Sequence, residues 1–103
     1  MVLKANNDWY KPREEYDDAL TITDVYISMS EEHQYVLKRL LKHAANRTLP
    51  NSSEADYLSD IFNTFTDNEK LATYYLANEA VLKGNEVFKI LELWVLLKGE
   101  KNA

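Results

Sequence analysis

Only two glycines and two prolines punctuate the 103 residues of this chain, at Gly84, Gly99, Pro12 and Pro50. Hairpin turns and phosphate-cradling loops need residues that adopt positive φ or allow close backbone approach, so a chain this poor in glycine can build few of either. What it can build is helix. The length is that of one domain, and 46% hydrophobic with 28% charged residues is ordinary for a globular chain. The expected fold is therefore a single all-α domain over 1–103, a compact bundle of four main helices plus a short N-terminal helix or arm.

Apolar spacing, caps and stops place the four helices. Ser30 is a good N-cap for a helix over about 31–46, with Val36, Leu37, Leu40, Leu41 and Ala44 on one stripe and Lys38, Arg39, Lys42 and His43 off it. Pro50 breaks that helix, and Asn51 or Ser53 can cap a second over about 54–65 with an inward stripe of Ala55, Leu58, Ile61, Phe62 and Phe65. Thr66 to Glu69 spells a T-x-x-E capping box for a third helix over 68–83, which Gly84 can end in a left-handed C-cap. The fourth covers 86–98 and stops at Gly99. Over residues 1–30 the pattern is weaker. Pro12 fits the first turn of a short helix over 12–20, and the β-branched stretch Thr21 to Ile27 reads as helix or unpaired extended chain, since a lone strand cannot build a sheet.

Composition removes whole classes of chemistry. With no cysteine, the chain has neither disulfides nor thiolate metal ligands nor a thiol nucleophile, and a reducing cytoplasm is the expected setting. The first twenty residues lack an apolar signal core, and the apolar run from Val87 to Leu97 is about half of what a bilayer requires. Net charge is −5, distributed as −3 over 1–30, +2 over 31–50, −5 over 51–82 and +1 over 83–103, which is too little local cation for counterion-release binding of nucleic acid. His33 and His43 lie ten residues apart on one helix, about 15 Å along its axis, so they cannot share an ion. No metal, cofactor, small-molecule substrate or catalytic residue is expected, and no enzyme.

Five features remain as candidates for function. In the last helix nine of the eleven residues from Val87 to Leu97 are apolar, with a polar edge at Glu86, Lys89 and Glu92 that Leu93 and Leu96 interrupt. Such a helix must be covered on nearly every side, either as the centre of the bundle or by a second subunit or a target, and Trp94 is the expected anchor in both cases. On the third helix, taking Leu71 as reference, Tyr75, Asn78 and Leu82 fall within about 40° of it, which sets an amide in an apolar stripe with Glu79 at its edge. On the second, Asp56 and Asp60 form an acidic face suited to a basic partner. The basic stripe Arg39, His43 and Arg47 is expected to pair with that acidic helix inside the bundle. Trp9 and Tyr10 form an aromatic arm ahead of Pro12.

These features point to a small, non-enzymatic regulatory or inhibitory protein that binds another protein, or itself as a homodimer, through Leu93, Leu96, Lys89 and Trp94, through Trp9 and Tyr10, or through Asp56, Asp60 and Glu79. Nine Asn, nine Lys and seven Tyr are what AT-rich codons supply and fit a phage or mobile-element origin. The competing reading is a DNA-binding regulator with a helix-turn-helix around 71–83, turning at Leu76 to Asn78. Against it, the recognition helix would present Glu79 and Lys83 but neither Arg nor Gln, and its turn has no glycine.

Overall fold

The computed structural model describes the backbone of residues 21–102 and the side chains of residues 21–98. The expected helix over 12–20 and the Trp9 and Tyr10 arm lie outside the described residues. Among the described residues five helical segments follow one another: α1 (described over residues 21–28), α2 (Glu31–Asn46), α3 (Ser52–Phe62), α4 (Asp67–Lys83) and α5 (Glu86–Asn102). No strand occurs among the described residues. The β-branched stretch at 21–27 is helical, because burial of Ile22, Thr23 and Tyr26 against the bundle outweighs its local preference.

Each of the three expected caps forms. Ser30 Oγ accepts from the His33 N–H, and Asn51 Oδ1 accepts from the Glu54 N–H. Thr66 and Glu69 exchange side-chain and backbone bonds in a complete capping box. The limits of α3 differ from expectation. Asn51 caps it, so it starts at Ser52, and it ends at Phe62, where the Thr64 hydroxyl and N–H both turn back to the Ile61 carbonyl. Phe65 lies beyond the helix and still reaches the core. Gly84 ends α4 with the expected positive φ, 63°, but with ψ at −145°, outside the left-handed helical well. Gly99 does not stop α5, which runs on to Asn102: with nothing local forcing a turn, the ladder simply continues.

The core forms chiefly between α2 and α4. Val36, Leu37 and Leu41 of α2 and Leu76 and Ala80 of α4 are wholly buried. α3 packs beside α2 and supplies Leu58, while α5 packs beside α4 and supplies Val87 and Leu91. One expectation fails here, and one of two open alternatives drops out. The inward face of α4 is Ala72, Thr73, Leu76 and Ala80, whereas Leu71, Asn78 and Leu82 are exposed. Apolar residues are spread around α4, and the leucine-rich face of α2 selects the side whose small residues let the two helices approach. Asn78 therefore needs no buried partner. Nor is α5 the centre of the bundle; it covers one side and leaves its own outer face open.

Candidate functional site

Each end of α2 is tied down by a histidine, an arrangement that residue spacing did not reveal. At the start, His33 Nδ1 lies 3.0 Å from Glu69 Oε1, and Nε2 lies 3.0 Å from the Thr64 hydroxyl oxygen. The ring stacks on Phe65 with centroids 4.5 Å apart. Near the other end, His43 Nε2 meets Glu54 Oε1 at 2.9 Å and Nδ1 meets the Thr48 hydroxyl at 2.9 Å, while Arg39 Nε donates to Glu54 Oε2 at 2.7 Å. Both glutamates are the third residue of their helix, after the caps Asn51 and Thr66, where a carboxylate also faces the positive end of the helix dipole. The signal that could have found them is this shared N-cap-x-x-Glu register on two successive helices.

The His43 bond and the Arg39 guanidinium hold the Glu54 carboxyl below its ordinary range. Thr64 already donates its hydroxyl to the Ile61 carbonyl at 2.6 Å, so toward His33 it presents lone pairs. Hydroxyl, imidazole and carboxylate thus stand in line twice, in each case joining α2 to the first turn of another helix. Among the described residues no group of three or more His, Asp or Glu side chains could hold a metal ion.

The basic stripe pairs with the acidic helix inside the bundle through Arg39 and His43, and the acid that receives both is Glu54, not Asp56 or Asp60. Asp56 and Asp60 remain exposed and make no ion pair among the described residues. Arg47 instead donates to the Val81 carbonyl of α4. Glu79, half-buried at the edge of α4, is met by Lys83 Nζ one turn on, at 2.6 Å.

Among the described residues, two apolar surfaces lie open on α5 and between α3 and α4. On α5, Leu93, Leu96 and Leu97 are 52%, 60% and 48% exposed, and their i, i+3, i+4 spacing puts them on one face. Lys89, one turn before Leu93, is exposed and pairs loosely with Glu86 at 3.5 Å. Trp94 belongs to the other side, half-buried with Val95 against the core, so it anchors α5 to its own bundle and stands apart from Leu93 and Leu96.

The second surface is an open groove of about 370 Å³ between α3 and α4, walled by Ala55, Leu58 and Phe62 on one side and Tyr74 and Ala77 on the other, with Leu40 of α2 beneath. Phe62 and Tyr74 meet edge to face at 5.9 Å. α4 runs unbroken from Asp67 to Lys83, so the turn at Leu76 to Asn78 that a helix-turn-helix requires is not formed. Among the described residues no helix is long and apolar enough to cross a membrane. No protein-family model, curated protein or solved structure matches this chain.

Proposed function

We propose that this protein is a small, non-enzymatic, cytoplasmic regulatory or inhibitory protein that acts by binding another protein, and that the outer face of α5 is its docking surface. The observation that carries this reading is the exposure of Leu93, Leu96 and Leu97 on one face. Scattered exposed leucines need no explanation, but three on one helical stripe form a contiguous patch of the kind that interfaces cover. The stripe is not required by the bundle, because Val87, Leu91, Trp94 and Val95 already fasten α5 from the other side. The lack of cysteine and of glycine-rich loops supports the non-enzymatic part.

The test is affinity capture from the source cell with two baits, wild type and Leu93→Ser/Leu96→Ser/Leu97→Ser, together with sedimentation of both. A stoichiometric protein captured by wild type and lost by the variant at unchanged helicity supports the reading. Capture of the same protein by both baits refutes it. Concentration-dependent dimerisation of wild type that the variant abolishes assigns the face to a second copy.

A further inference from the structure

We propose that the groove between α3 and α4 is a second docking site, whose occupant is a cationic amphipathic helix of another protein. The groove interior offers contact surface and few polar anchors. Thr73 on the α4 wall donates its hydroxyl to the Glu69 carbonyl at 2.7 Å, and apart from the Ser59 hydroxyl on the α3 wall the remaining lining side chains are aliphatic and aromatic. A small ligand would find little there to fix its orientation, whereas a helix is held by repeated apolar contacts. The α3 wall runs from Ala55 to Phe62, about 10 Å along the axis, which matches two turns of an incoming helix with anchors at i, i+3 or i+4, and i+7. Ala55 and Ala77 keep the walls low, so such a helix can settle close.

Charge selects the sign of the partner. Asp56 and Asp60 follow Ala55 and Ser59 by one position each, which turns them about 100° toward the outer shoulder of α3; both are exposed and neither is in an ion pair among the described residues. Lysines or arginines on the α3-facing edge of a bound helix meet these carboxylates. At the other end, Lys70 sits over the Phe62 ring, 5.8 Å from its centroid, and sets where the positive edge must stop. A second copy of this chain is a poor occupant: Glu86 and Glu92 accompany the leucines of α5, and each molecule carries a net charge of −5.

The probe is a fluorescent synthetic Leu/Lys/Ala peptide of about 18 residues, five helical turns, with one apolar stripe, tested beside a scrambled peptide of the same composition. Fluorescence anisotropy at physiological ionic strength measures its binding to wild type, to the groove-filling Ala77→Trp, to Asp56→Lys/Asp60→Lys, and to the α5 triple-serine variant. Affinity should fall at least about tenfold in both the groove-filling and the charge-reversed proteins and stay unchanged in the α5 variant. The scrambled peptide should bind at least about tenfold more weakly than the amphipathic one. Should Ala77→Trp lose its helical fold, Ser59→Trp, at an exposed position of the same groove, replaces it. Absence of binding to wild type, equal binding of the scrambled peptide, or retention by the filled groove overturns the proposal. So does loss in the α5 variant alone, which moves the site to α5, or self-association of free wild type that Ala77→Trp abolishes, which makes the occupant a second copy.

Discussion

At the scale of single residues, the feature that organises the molecule is the pair of glutamates at the third positions of α3 and α4. Glu54 gathers His43, Arg39 and the first turn of α3, and its carboxyl titrates below the ordinary value of 4.5 because its anionic form is the one these donors hold. A carboxyl lowered on folding stabilises the fold fully above its unfolded value, and the contribution disappears as the pH falls through the lower folded value. Thermal melts of Glu54→Gln should therefore show a clear loss of stability at pH 7 that shrinks toward zero as the pH is lowered through about 4 and below. A variant equally destabilised at pH 7 and pH 3 would mean that Glu54 acts through packing instead of charge. Removing the other cap, with Thr66→Ala, should cost about 1 kcal/mol in a urea titration, since it leaves the Glu69 N–H without its acceptor. Of these residue-level contacts, the T-x-x-E box and the pairing of Arg39 and His43 with an acid were legible in the sequence. The identity of that acid was not, because Asp56, Asp60 and Glu54 all lie on α3 and only the rotation of the helix about its axis chooses among them.

At the scale of elements, legibility follows how unequal the faces of a helix are. In α2 the leucines fall on one side and the charges on the other, so both its limits and its inward face were readable. α4 carries apolar residues all round, and the face that packs is the small one, Ala72, Leu76 and Ala80, because α2 opposite it is already leucine-rich. The two glycines differ for a related reason. Gly84 must turn the chain, and its φ of 63° is what a glycine supplies, whereas Gly99 lies inside a continuing helix. A Cβ at position 84 would meet no atom within 4 Å, so Gly84→Ala should destabilise by about 1–3 kcal/mol through backbone strain alone, read as a lower urea midpoint at an unchanged slope. Leu76→Ala, in the fully buried contact of α4 with α2, should cost about 2–5 kcal/mol by the same measurement.

At the scale of the whole molecule, a surplus of apolar residues in the last helix was evident from its sequence, but its consequence depended on where that helix sits. Had α5 been central, all of its leucines would have been core. Because it lies on one side of α4, Leu91 holds it in place together with Val87, Trp94 and Val95 while its other three leucines face outward, so changes at Leu93, Leu96 and Leu97 are expected to have little effect on folding. Leu96→Ser should alter stability by no more than about 0.5 kcal/mol, in contrast to Leu76→Ala. That separation of stability from exposure is what supports our proposal that the outer face of α5 docks a partner. The most direct measurement is site-specific photo-crosslinking in the source cell, with a photoreactive amino acid in place of Leu96 and, in a second protein, in place of Tyr35, which is 55% exposed on α2. The docking account predicts one discrete crosslinked protein from position 96 and none from position 35. The same product from both positions, or a product from position 35 alone, would contradict it.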